Sequence, residues 1–278
     1  MSTANAELSS GCNVETSLNY LADVTEPLFT YAYDAPPGQP KSNVRFEPYP
    51  VTVHDGRELP APPTVDREGF ALLKGRSTVT DFYDEAQIRD VYYPECERVM
   101  KAALGASRVH VFDHIVRNAA RSKPGENTIK EYAGAVHNDY TTKSGPQRLR
   151  DLLPNEADVP AHKRFAIINL WRPIRGPVVH QPLAVCDARS LEPGDLVTNA
   201  RIYPDRHGEI QAVRYRPSHR WYYYSAMQPD EAILLKCYDS AEDGRARFTA
   251  HTAFKDPATP PGAPPRESIE IRALVFFE

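Results

Sequence analysis

The 278-residue sequence predicts a mainly β protein with helical additions, an antiparallel sandwich or barrel. Three observations carry that expectation. Short apolar, β-branched and aromatic runs recur from residue 165 to the end: Phe165-Trp171, Val178-Cys186, Leu196-Tyr203, Ile210-Tyr215, Trp221-Ala226, Ala232-Cys237, Arg247-Phe254 and Ser268-Phe277. Turn residues such as Pro193-Gly194-Asp195 and Asp243-Gly244 separate most of them, and no helical pattern intervenes, which disfavours a parallel α/β sheet. The one sustained helical periodicity comes before the series.

In chain order, residues 1–64 read as an irregular N-terminal arm, because periodicity is weak over the first forty and prolines gather at Ala35-Pro40 and Pro60-Pro63. Residues 65–278 read as a single domain. Within it a helix is expected at about 80–105. Asp81 supplies the cap, Phe82, Ile88, Val91, Tyr92, Val99, Met100 and Leu104 the apolar stripe, Gly105 the stop, and Pro94 a kink or break. A strand from Arg108 to Ile115 then opens a β core of about 107–278.

Composition excludes several classes of function. Folding a chain of this size buries roughly three quarters of its unfolded surface, so the core needs no structural metal or disulfide. Cys12, Cys96, Cys186 and Cys237 are far apart, unlike the close pairs of zinc ribbons or redox dithiols. The net charge of -4 lacks the basic excess that nucleic-acid binding demands. No segment from Met1 onward resembles a leader or a membrane span, so a cytoplasmic protein without membrane partners is expected. The sequence does not speak to oligomeric state. Neither a glycine-rich phosphate loop nor a Gly-x-Ser-x-Gly elbow is present.

The string Ala135-Val136-His137-Asn138-Asp139-Tyr140-Thr141 bears chemistry, because in an extended segment His137 and Asp139 point to one side. An imidazole and a carboxylate there can occupy two adjacent corners of a metal, and a third histidine elsewhere completes a facial triad of the kind used by non-haem Fe(II) oxygenases. His251 is the best-placed candidate, in the run Phe248-Phe254, and His180 is its rival. His54, His110, His114, His162, His207 and His219 read as surface or satisfied core residues. On the final run Arg266, Ser268, Glu270 and Arg272 share a face, where a guanidinium and a hydroxyl suit a carboxylate.

These residues, together with Asn169-Leu170-Trp171-Arg172-Pro173, Pro182-Asp187, Leu235-Ser240 and Pro265-Arg272, resemble the Fe(II)/2-oxoglutarate-dependent oxygenases over about residues 65–278. The nearest likeness is the branch of fungal and bacterial secondary metabolism that includes cephalosporin 7α-methoxylases and gibberellin desaturase-like enzymes. The resemblance implies a double-stranded β-helix, a cupin-like jelly roll. It implies Fe(II) as cofactor, 2-oxoglutarate as cosubstrate and dioxygen as oxidant, with His137, Asp139 and His251 as catalytic metal ligands. It implies C–H oxidation of a small natural-product or amino-acid-like substrate by hydroxylation, desaturation, cyclisation or endoperoxidation. It also implies an arginine that clamps 2-oxoglutarate: Arg266-x-Ser268 matches the expected pattern, and the long interval after His251 keeps Arg272 open. A catalytically silent β-barrel serving as a binding or partner subunit is the alternative.

Overall fold

In the computed structural model, which describes residues 13–122, 129–156 and 164–278, two sheets face one another. One has six strands and the other nine. Among the described strands, ladders are antiparallel except for three, each involving a short or edge strand. The expected jelly roll is therefore present. Cys12 and His162 lie outside the described residues.

The six-stranded sheet is built around the last strand, Glu267–Phe276, which lies between Arg108–Asn118 and Phe165–Pro173. Alternation decides what each face meets. Ile269, Ile271, Ala273 and Val275 turn outward with Ile168 and Leu170 and pack against Ile88, Tyr92, Cys96 and Met100 of the helical segment. Burying each large aliphatic side chain there contributes about 1.5–3 kcal/mol. Ser268, Glu270 and Arg272 consequently point between the sheets.

The helical segment begins with one α turn, Glu85–Gln87, passes through a π turn, Ile88–Tyr92, and continues as the α-helix Tyr93–Leu104. Pro94 does not break it. The proline occupies the first turn after the widened π turn, where its missing N–H and its ring are accommodated. Gly105 ends the helix in the left-handed conformation, φ 61°.

Of the stretch expected as an irregular arm, the described part from residue 13 onward carries three strands. Val14–Leu21, Leu28–Tyr31 and Phe46–Asp55 are strands of the nine-stranded sheet. Pro48 and Pro50 pair with Asn19 and Ser17 on one side only, because the neighbour on the other side, Trp221–Tyr223, begins opposite Val53. Prolines are tolerated along such an open edge, so their presence does not forbid a strand.

Between the sheets, Phe70, Trp171, Leu183, Val185, Ile233, Leu235 and Cys237 fill one end with an apolar layer. The other end stays open. Trp221 and Tyr223 lie on the far side of the nine-stranded sheet, in a core with Leu18, Tyr20 and Val136.

Candidate metal centre and active-site cleft

His137 and His251 lie on two very short strands, His137–Asn138 and His251–Ala253, at the centre of the nine-stranded sheet. They are direct partners across the ladder. Their rings are 4.4 Å apart between centroids and tilted by 53°. Asp139 follows at the bend after the first strand, with Oδ1 3.6 Å from His137 Nε2. One ligand atom from each of the three residues falls within 4.8 Å of the other two. Sequence spacing alone left His180 as a rival to His251. The strand register brings His251 to the pair, whereas His180 lies near Tyr132 and Arg266.

Backbone carbonyls fix both imidazoles. His137 Nδ1 is 2.8 Å from Ala135 O and His251 Nδ1 is 3.0 Å from Thr249 O, so each ring donates from Nδ1 to a carbonyl two residues earlier. That tautomer leaves both Nε2 lone pairs free. Burial foremost, aided by the neighbouring His251 ring, pushes His137 down to about 4, and burial lowers His251 as well. Burial raises the Asp139 carboxyl, but Arg272 first, then His251, His137 and the Asn169 amide, outweigh it and hold the group well below the ordinary carboxylate range. Two neutral imidazoles and one carboxylate thus direct lone pairs at a common point. A divalent cation resolves that arrangement, and the donor set fits ferrous iron.

Asn169 and Arg272 position the carboxylate. Asn169 Nδ2 donates to Asp139 Oδ2 at 2.9 Å. Arg272 Nε lies 3.3 Å from the same oxygen, an ion-pair distance without hydrogen-bond alignment. The rest of the Arg272 guanidinium is occupied by Asp113 at 3.2 Å and Glu270 at 3.4 Å. Asn138 turns its buried amide the other way, with Nδ2 within hydrogen-bond reach of Gln211 Oε1 and of Cys237 O, and so ties the metal-facing turn to both sheets.

Arg266 immediately precedes the last strand and is held differently. Its guanidinium packs 5.5 Å from the Tyr132 ring centre and 5.4 Å from that of Trp171, and Nη1 donates to Gln181 O. No carboxylate pairs with it among the described residues. Its buried Nε and the nearby buried Ser268 Oγ have no hydrogen-bond partner. Burial, then the neighbouring Arg117, pushes Arg266 down to about 9. A buried cation without a counter-ion, beside an unsatisfied hydroxyl, fits a carboxylate ligand.

The triad opens on a cleft of about 1080 Å³ whose walls include His137, Asp139 and Arg272. The positioning roles of Asn169 and Asn138 and the charge of Arg117 escape sequence reasoning. The available signal was polar residues at inward-facing positions of otherwise apolar strands. Lys236 and Asp239, by contrast, serve the frame: Lys236 Nζ lies 2.7 Å from Asp239 and 2.6 Å from Asp66, fully buried.

Comparison with known proteins places this geometry. A family model described as "Oxidoreductase/YMDC permease-like domain" matches residues 18–276. The hydroxylase/desaturase efuI of Hormonema carpetanum is 34% identical, over 95% of each chain. The Fe(II)/2-oxoglutarate-dependent dioxygenase nvfI of Aspergillus novofumigatus is 30% identical, over 92% of each chain. The chain belongs to the Fe(II)/2-oxoglutarate-dependent oxygenases. A solved structure of the iron and alpha-ketoglutarate-dependent endoperoxidase NvfI covers 96% of this oxygenase and 98% of its own chain, with a TM-score of 0.84 and 28% identity. Among the described residues of the oxygenase, no helix is long and apolar enough to cross a membrane.

Proposed function

We infer that His137, Asp139 and His251 bind one Fe(II), and that Arg266 with Ser268 receives the distal carboxylate of 2-oxoglutarate. The observation that carries the reading is the pair of imidazoles locked by carbonyls with both Nε2 atoms free, beside a carboxylate kept ionised by Arg272. When bound, the ferrous ion with 2-oxoglutarate and dioxygen supplies the oxidation of an unactivated C–H bond, 2-oxoglutarate being consumed to succinate and carbon dioxide.

The chain's own residues then have separable tasks. The imidazoles and Asp139 would hold the metal at the wall of the cleft. Asn169 and Arg272 keep Asp139 from rotating. Trp171 and Tyr132 shield the Arg266 charge from water, so its attraction for a carboxylate is strengthened by the low local polarity. Arg272, expected as an alternative clamp, has three carboxylate neighbours and acts on Asp139 instead. The substrate is a small natural product or an amino-acid-like molecule. Geometry in the cleft chooses between hydroxylation, desaturation, cyclisation and endoperoxidation. The strands from Val14 onward belong to the same catalytic unit, which works in the cytoplasm. No observation favours a silent partner subunit, since the donor set is intact.

Anaerobic titration with Fe(II) and 2-oxoglutarate tests the reading. One ferrous ion per chain and a weak visible absorption band are expected, both lost in Asp139→Ala. In Arg266→Met metal binding should persist while 2-oxoglutarate binds poorly. Stoichiometric iron binding that survives Asp139→Ala would reject the triad.

A further inference from the structure

The chain is acidic overall, yet the cleft is not. Seven of its lining residues are Lys or Arg and four are Asp or Glu, within a chain of net charge -4. All four acids are engaged: Asp113 with Arg272, Asp139 with Arg272 and Asn169, Glu209 with Lys143, and Asp151 with Gln147. Of the four, only Asp113 pulls on Lys130, and it is already shared with Arg272; none forms an ion pair with Lys130 or Arg201. Among the described residues, neither of these side chains makes a hydrogen bond or an ion pair.

The two come from different sheets. Lys130 sits on Ile129–Lys130, the edge of the six-stranded sheet, paired beside Arg117. Arg201 sits on Leu196–Ile202, next to the opposite edge of the nine-stranded sheet, paired beside Thr30. Both line the cleft, where Lys130 keeps an exposed face; partial burial first, then Arg272, Arg117 and Arg201, lower its ammonium against the pull of Asp113. Like charges converging without counter-ions across a gap are unfavourable unless an anion enters it. Arg201 is two strands from His137 and four residues along from its level, since Ala212 pairs with both His137 and Val197. That puts its backbone roughly 16 Å from that of His137. The cleft is also lined by Tyr140, Ile210, Ile115 and Phe46, the last 41% exposed.

We propose that the substrate carries a carboxylate, held by Lys130 and Arg201 at the outer end of the cleft, with an apolar skeleton reaching inward to the triad. The proposal rests on the oxygenase reading and names the substrate class for that site. The anion fixes which carbon faces the metal, so Lys130 and Arg201 determine regiospecificity as well as affinity. Arg266 is not available for this task once 2-oxoglutarate occupies it.

The test uses a fluorescent acid and its neutral counterpart, pyrene-1-butanoate and pyrene-1-butanamide, titrated by anisotropy against protein saturated with Mn(II) and 2-oxoglutarate, and against the metal-free protein. The acid is expected to bind about tenfold more tightly than the amide at low salt, a preference that shrinks as ionic strength rises. Lys130→Met and Arg201→Met should each reduce the preference, and the double variant should abolish it. Arg201→Lys should retain most of it, which separates charge from folding. Equal binding of acid and amide, no saturable binding of the acid, or a preference that survives the double variant would overturn the proposal. Failure of the oxygenase reading is visible separately, as absence of metal and 2-oxoglutarate binding in the titration described above.

Discussion

Asn169→Leu removes the single neutral hydrogen bond to the metal-facing carboxylate while conserving volume. Asn169 Nδ2 donates to Asp139 Oδ2 at 2.9 Å from a fully buried position. A hydrogen bond to a charged acceptor contributes about 1.5–3 kcal/mol. Loss of a partner behind a metal ligand typically lowers affinity by about 10- to 100-fold, or ~1.4–2.7 kcal/mol, so the two estimates agree. Arg272 remains beside Asp139 and keeps it ionised, which argues for a graded loss instead of abolition. Stability should change little, by about 1 kcal/mol or less, because Asn169 Oδ1 is already buried without a partner and its removal relieves a cost. Anaerobic calorimetric titration with Fe(II), alongside thermal unfolding of the apo form, reads both quantities. Affinity unchanged within about twofold would refute the positioning role. A large loss of stability with unchanged affinity would instead make Asn169 a packing residue.

Other consequences can be measured independently. Lys236→Met leaves Asp239 buried without its ammonium partner and should destabilise the fold by about 3–5 kcal/mol in denaturant unfolding, with Arg164 supplying partial compensation. Gly69→Ala should cost about 2 kcal/mol or more and weaken metal binding. Gly69 has φ +90°, and a Cβ there would lie 2.3 Å from Thr249 Oγ1, on the residue whose carbonyl anchors His251. Burial lowers His219 and His114 below the ordinary histidine value. The unfolded chain therefore binds protons that the folded chain resists, and the stability they contribute is complete above about pH 6.5 and lost as pH falls below it. The apo protein's unfolding temperature should drop between pH 7 and pH 5; a flat profile over that range would contradict the assignment. Ile271→Ala empties a site in the layer beneath the helix and should cost about 2–5 kcal/mol without changing metal affinity.

The late strands were legible because each is a short apolar run bounded by turn residues, and the observed strands follow the expected ones with shifted ends. The run expected at Arg247–Phe254 shrinks to His251–Ala253, and that at Val178–Cys186 to Leu183–Cys186. In those stretches the backbone is shaped by long-range bonds, such as Cys186 N to Ala250 O, that no local pattern encodes. The strands before residue 64 were missed because their periodicity is weak and proline clusters flank them; Pro48 and Pro50 fit within Phe46–Asp55 because one side of that strand is free there, which only the pairing scheme reveals. Alternation places His137 and Asp139 on one side, and they do lie together in the structure. Arg266 and Arg272 share a face in the sequence, and the carboxylates around one and the aromatic rings around the other are not encoded locally.

The direct opposition of His137 and His251 joins two of the shortest strands in the molecule, of two and three residues, at the middle of its widest sheet. A slip of one position there would turn one imidazole to the opposite face and leave only two of the three proposed donors together. Loading the metal therefore checks the alignment of segments more than a hundred positions apart in the chain. Chelation should loosen the centre of that sheet first, and amide hydrogen exchange at Val185 and Ala212, the flanking partners of the two histidines, would report it.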